Sequence, residues 1–327
     1  MLRKKIGENA MKKLTFIVAS ALLLLPLSAE AQVRRGQRYT DWAPIVHLPP
    51  PINSEFDDHA AILSKDEKTM YFTSNRTGSI AGSEDIWVST RKTRNSPWQE
   101  PFRLPDTINT DRMERVRSFA GDGRILVFQS DRAGTFGLTD IWVVFRKHVN
   151  DDLDWGEPIN LGDVINTPST ELAANYLFAD AGRVRKLFFS SSKPGGFGGP
   201  DIYESTINEL GFELSVNVFE LNSPSIETCF WVRDDGLEII FSSNRPNVSG
   251  DIQQHDMWVA YRESVYETWS APVKLGPNVN VPNWQDVNPA LSFDNRTMLM
   301  ASRRPGGIGP GSFDIYVTTR DLLGGGR

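Results

Sequence analysis

Apolar residues recur along this chain in short runs, each closed by a turn rather than continued into a helix-length stripe. Met70-Tyr71-Phe72, Leu126-Val127-Phe128, Leu187-Phe188-Phe189 and Ile239-Ile240-Phe241 are four such runs. Charged or glycine-bearing turns lead into three of them: Lys65-Asp66-Glu67-Lys68, Gly121-Asp122-Gly123-Arg124 and Asp234-Asp235-Gly236. Apolar runs of this length, bounded by turn residues, predict strands. Each run ends in a polar corner: Ser74-Asn75-Arg76, Ser130-Asp131-Arg132, Ser191-Ser192-Lys193, Ser243-Asn244-Arg245 or, at the far end, Ser302-Arg303-Arg304. After the corner come a loop, mostly Gly-rich, and a further strand opening at Asp85, Asp140, Asp201, Asp256 or Asp314 with Ile or Met and then Trp or Tyr. That Asp recurs after 55, 61, 55 and 58 residues.

A period of this size signals a repeat architecture. An apolar strand such as His59–Ser64 opens each unit. A last strand follows a Trp, as in Trp98-Gln99-Glu100-Pro101-Phe102-Arg103-Leu104, Trp155-Gly156-Glu157-Pro158-Ile159-Asn160-Leu161 and Trp269-Ser270-Ala271-Pro272-Val273-Lys274-Leu275. Four strands per unit predict a propeller blade, and Pro in the fourth fits an outer edge, where a missing N–H costs little. The fifth unit stops after three strands. Its missing strand stands at the other end of the chain, as Trp42-Ala43-Pro44-Ile45-Val46-His47-Leu48. The expectation is an all-β, five-bladed β-propeller of four-stranded antiparallel blades, closed when the N-terminal strand completes the last blade. Closure removes the exposed strand edges of an open array.

The repeated Ser-x-Arg corner, Gly-Gly loop and Asp-Ile-Trp/Tyr strand resemble the TolB-type periplasmic WD-like β-propeller repeat. The resemblance covers roughly residues 42–320. It implies the propeller fold and an exported protein, and it is weak on function, because repeats of this kind serve many proteins.

Lys12-Lys13, the apolar run from Leu14 to Leu27 and Ser28-Ala29-Glu30-Ala31 read as a secretory signal peptide over residues 1–31, with Met11 as the natural start. A linker over 32–41 then leads to the propeller over 42–320 and a Gly-rich tail over 321–327. The expected location is periplasmic or secreted, without membrane insertion after cleavage. Cleavage removes five basic and two acidic residues, moving the formal charge from −6 to −9. So acidic a chain is a poor general binder of nucleic acid. Cys229 is the only cysteine, so no internal disulfide forms, and it reads as a small buried hydrophobe.

Features present in every blade are expected to build blades. Arg76/Asp85, Arg132/Asp140, Lys193/Asp201, Arg245/Asp256 and Arg304/Asp314 flank one loop each and are expected to latch it as charge-assisted pairs. The run Gly195-Gly196-Phe197-Gly198-Gly199 lacks the Lys-Ser/Thr and helix that phosphate binding needs, so its glycines are read as supplying positive φ. Seven of the nine Trp occupy repeat positions, 42, 87, 98, 142, 155, 258 and 269, and are expected to pack between blades. Asp58, Glu114, Glu171, Glu227 and Asp286 form an acidic ring before the first strands. They are read as partners of the Arg corners, or else as a cation site or as acid and base on a glycan, with Asp58, Glu114 and Asp286 the candidates for catalysis.

Function is expected where the repeat breaks. Asp57, His59, Arg115, Arg117, Trp231 and Trp284 are the candidate ligand-binding residues, with Arg233, Gln253, Gln254 and His255 near them. Carboxylate, Arg and indole together suit a sugar or polar peptide. His47, His59, His148 and His255 show no ligand spacing, so neither a metal nor another cofactor is expected. The reading put first is a non-enzymatic binding or scaffold propeller for a protein or a cell-envelope glycan. The alternative is a carbohydrate-active hydrolase or lyase using carboxylates at the channel mouth. Blade 3 departs most from its siblings, with Lys193 for Arg and Phe212 for Trp.

Overall fold

The computed structural model describes residues 39–120, 123–246 and 254–323. The signal segment, most of the linker, the end of the tail, the Gly121-Asp122 turn and Gln253 lie outside the described residues. The chain forms five antiparallel sheets arranged as blades. Counted outward from the channel, blade 1 comprises Asp58–Leu63, Thr69–Ser74, Asp85–Thr90 and Phe102–Arg103. Blade 2 comprises Glu114–Ala120, Ile125–Ser130, Asp140–Phe145 and Ile159–Asn160. Blade 4 comprises Glu227–Val232, Glu238–Ser243, Asp256–Tyr261 and Val273–Lys274. Blade 5 holds Asp286–Leu291, Thr297–Ser302 and Asp314–Thr319, and Val46–His47 pairs with the last of these. The N-terminal strand therefore closes the ring, as the repeat arithmetic predicts.

Blade 3 is longer. Its strands are Glu171–Ala179, Val184–Ser191 and Asp201–Asn208, and its outer edge is split into Gly211–Phe212 and Val216–Asn217. Phe212 pairs with the end of the third strand and Asn217 with its start.

The core lies between blades. Ile62, Tyr71 and Val88 of blade 1 pack with Val116, Phe128 and Trp155 of blade 2 in one buried cluster, and four similar clusters complete the circuit. Fully burying such side chains contributes roughly 1.5–3 kcal/mol each. The repeat tryptophans do pack there. Trp42, Trp98, Trp155 and Trp269 also carry an arginine on one face: Arg320 at 4.3 Å, Arg91 at 4.2 Å, Arg146 at 4.6 Å and Arg262 at 4.1 Å. Each of these arginines lies six residues beyond the recurring Asp. Blade 3 has Ile207 there and lacks the Trp as well.

The register sets the latches. The corner Ser sits opposite the ring acid on one side and the recurring Asp on the other, as Ser74 does between Asp58 and Asp85. The expected Arg76/Asp85 type of pair does not form. Arg76 donates to Asp58 at 2.6 Å, Arg245 to Glu227 at 3.0 Å and Arg304 to Asp286 at 2.5 Å, and Arg132 lies 3.1 Å from Glu114. Asp85, Asp140, Asp201 and Asp314 instead accept a loop N–H, from Ile80, Phe136, Phe197 and Ile308. They also meet the outer strand. Arg103 lies 3.7 Å from Asp85, Asn160 and Asn217 donate to Asp140 and Asp201, Lys274 donates to Asp256 and His47 bonds Asp314. Lys193 reaches neither acid and donates to Ser215.

In the Gly-rich loop most glycines answer to space and not to positive φ. Gly195 alone in its run has positive φ, 95°. Gly196, Gly198 and Gly199 are glycines for want of space: a Cβ would fall 2.4 Å from the Asp201 carboxylate, 2.3 Å from the Pro224 carbonyl and 2.7 Å from Ile226. The loop lies against the start of blade 4, with Gly199 N–H donating to Ser225 O.

Candidate functional site at the channel mouth

The chain is joined blade to blade around the channel. The N–H groups of Asp58, Glu114, Glu171, Glu227 and Asp286 donate to the carbonyls of Phe313, Glu84, Thr139, Pro200 and His255, at 2.8, 2.7, 3.0, 2.8 and 2.9 Å. Each bond links one blade's inner strand to the third strand of the blade before it, and the first closes blade 5 onto blade 1. The five ring carboxylates are fully buried. Ser54, Thr110, Thr167 and Ser223 each give Asp58, Glu114, Glu171 and Glu227 two hydrogen bonds, from backbone and hydroxyl. Burial raises the Glu114, Glu171 and Asp286 carboxyls above their ordinary values, against these bonds. The oxygens of Asp58, Glu114 and Asp286, the carboxylates the sequence offered for catalysis, are engaged away from solvent by these bonds and by the Arg corners.

The residues beside this ring differ from blade to blade. Glu84, the residue before Asp85, meets Arg115 of blade 2 through both carboxylate oxygens, and His59 Nε2 lies 3.4 Å from it. Burial by itself would raise the Glu84 carboxyl. The His59 and Arg115 contacts outweigh burial and hold it well below the usual range. The His59 ring faces Phe313 at 5.8 Å between centroids. Phe313 carries Arg303 on its face at 4.2 Å, and its N–H donates to Asp57 at 2.7 Å. Arg303 and Asp57 approach to 3.6 Å. A charged arc thus runs along blades 5, 1 and 2, with the Arg115 side chain still 33% exposed. The matching positions in blades 3 and 4 hold Leu172, Pro200, Thr228 and His255.

Arg117 crosses this mouth. Its Nη1 lies 3.7 Å from Cys229 Sγ of blade 4, and Nη2 donates to Gln129 of its own blade. All five inner strands break register at this depth, at His59/Ile62, Val116/Ser118, Glu171/Ala174, Thr228/Phe230 and Val287/Ala290. Such bulges re-aim side chains, and Arg117 is the bulged residue of blade 2. The void here is only about 20 Å³, lined by Ala60, Ala61, Arg117, Ala173, Cys229 and Pro289 among others.

Of the sequence candidates, the structure brings Asp57, His59, Arg115 and Arg117 together. Trp284 stands on the loop leading into blade 5, 36% exposed. Trp231 does not join them: it lies four residues down its strand from Glu227 and packs against two core clusters. Arg233 is deeply buried with Asp235 and Glu238, and Arg320 pairs with the same Glu238. The imidazole of His255 is half-buried, and burial lowers its pKa. Sequence reasoning missed Glu84, Gln129 and Arg303. The signal for Glu84 was an acid where sibling blades carry Thr139, Pro200, His255 and Phe313.

No protein-family model matches this sequence, and no curated protein aligns with it significantly. Solved structures show the fold. A thermostable family-43 glycoside hydrolase aligns with TM-score 0.52 and 13% identity, over 84% of this chain and 92% of its own. An alpha-L-arabinofuranosidase from Podospora anserina, solved with cellotriose, aligns with TM-score 0.50 and 12% identity, over 87% and 98%. A protein described as TolB from Agrobacterium tumefaciens aligns over 88% and 100% at 11% identity, but its TM-score of 0.46 carries no argument.

Proposed function

We propose that this chain is an exported, carbohydrate-active propeller that seats a glycan across the charged arc at the channel mouth. The observation that carries the reading is the asymmetry of that mouth. His59, Glu84, Arg115, Arg303 and Asp57 gather on one side, while the matching positions in blades 3 and 4 carry no carboxylate or guanidinium. Paired donors and acceptors beside flat rings suit sugar hydroxyls and ring faces. The propeller glycosidases that share the fold favour this reading over the protein scaffold. With the ring acids sealed, Glu84 and Asp57 are the carboxylates left for chemistry. Glu84, held ionised, serves as base or nucleophile, and His59 is placed to carry the proton.

A second reading, recognition without cleavage, rests on one specific observation. Glu84 is held well below the usual carboxylate range by His59 and Arg115, the opposite of what a general acid needs, and Asp57 lies against Arg303. One experiment separates the two. The mature chain is incubated with a panel of plant and cell-envelope oligosaccharides, and both binding and new chain ends are measured. Turnover lost in Glu84→Gln supports the enzyme. Binding with no new ends supports recognition alone, and no binding to any glycan overturns both.

A further inference from the structure

We infer that the ligand of the mouth carries a carboxylate, and that Arg117 on the channel axis binds it; the glycan is then acidic, bearing a uronic acid. The inference rests on the carbohydrate reading and narrows it. Its starting point is a missing partner. Arg76, Arg132, Arg245 and Arg304 each meet a ring acid, and Arg115 meets Glu84. Arg117 meets no carboxylate among the described residues. Its contacts are the Cys229 thiol and the Gln129 amide, and its Nε is buried with no hydrogen-bond partner among the described residues. Removing a charge from water without a contacting counter-charge is costly; the like charge of Arg115 lies close by, and Glu84, already held by Arg115, acts on Arg117 only from a distance. The bulges of the other inner strands place only uncharged residues here: Ala60 and Ala61, Leu172 and Ala173, Cys229, and Asn288 and Pro289. A guanidinium at this point is a departure that the blade itself does not need.

A carboxylate would supply what is missing. It matches the guanidinium fork with two parallel hydrogen bonds. The Nε–Nη2 edge is held only on Nη2, by a neutral amide that an anion can displace. The size of the void agrees. About 20 Å³ has room for roughly one water-sized group. That admits the tip of a carboxylate and excludes a sugar ring, which stays at the mouth beside His59 and Phe313.

The test measures affinity for trigalacturonic acid, its uncharged methyl ester and triglutamate, by titration calorimetry at pH 7 and fixed salt. The acidic sugar is expected to bind at least ten times more tightly than its ester. Arg117→Met should bring that ratio to within twofold while leaving ester binding in place. Arg117→Lys keeps the charge, should keep part of the ratio, and serves if the methionine variant does not fold. Equal binding of acid and ester by the native chain overturns the inference and leaves the carbohydrate reading standing. Triglutamate binding as tightly as the acidic sugar overturns it as a sugar site. No binding of either sugar overturns the inference, and the wider glycan panel then decides whether the carbohydrate reading falls with it.

Discussion

Two sets of charges lie side by side at one face of this propeller, and they behave in opposite ways. The ring acids are buried in all five blades, and in four of them a largely buried Arg corner satisfies the acid. The arc of Glu84, Arg115, His59, Asp57 and Arg303 occurs once, is partly open, and leaves Arg117 without a contacting carboxylate among the described residues. Both sets use the same residue types. What separates them is symmetry. Where the corner is Arg, the repeated acid is neutralised by its own blade, whereas a charge present once has only the partners that the ring brings to it.

The largest effect is expected in the buried ring. Arg132→Ala leaves the Glu114 carboxylate sealed without its cation and should cost about 3–5 kcal/mol, read from urea unfolding. A loss under about 1 kcal/mol would show that the ring holds little. Blade 3 offers the converse. Lys193 reaches no carboxylate, so Lys193→Arg should restore the contact to Glu171 and gain about 1 kcal/mol in the same measurement. At the mouth, Trp284→Ala should change stability by no more than about 0.5 kcal/mol. In the glycan binding assay it should weaken affinity several-fold; unchanged affinity places the ligand away from the blade 5 loop.

A further effect is a slope against pH. Burial raises the Asp85 carboxyl from its ordinary 3.8 to about 6, against the Ile80 N–H and the Arg103 charge. The folded state therefore holds this proton more tightly than the unfolded chain does. The stability it contributes is full below about 3.8 and is lost as pH rises through about 6. Asp85→Asn should flatten the stability profile between those values, and an unchanged profile would falsify the assignment.

The number of blades, the closing strand and the packing role of the tryptophans were legible in the chain because they are local and repeated. Strand periodicity, turn residues and a recurring Asp need no knowledge of what lies across the ring. The latch partner was not legible. Ser74 stands opposite both Asp58 and Asp85, so the sequence offers Arg76 two acids at equal rank. The fold chooses Asp58, because loop N–H groups and the outer strand already occupy Asp85. The Gly195–Gly199 run was misread for a related reason: three of its four glycines answer to contacts in three dimensions, among them the Pro224 carbonyl of the next blade, and no local pattern reports such contacts. Glu84 and Arg117 gained their meaning in the same way. Their neighbours, Arg115 and His59 for one, Cys229 for the other, lie on other strands or other blades and are brought together by ring closure. Sequence alone determined that five blades would form and close, since local pattern and propensity suffice for that. Only the tertiary structure decided which charges cancel and which one is left over, since long-range pairing depends on register and on distances across the channel.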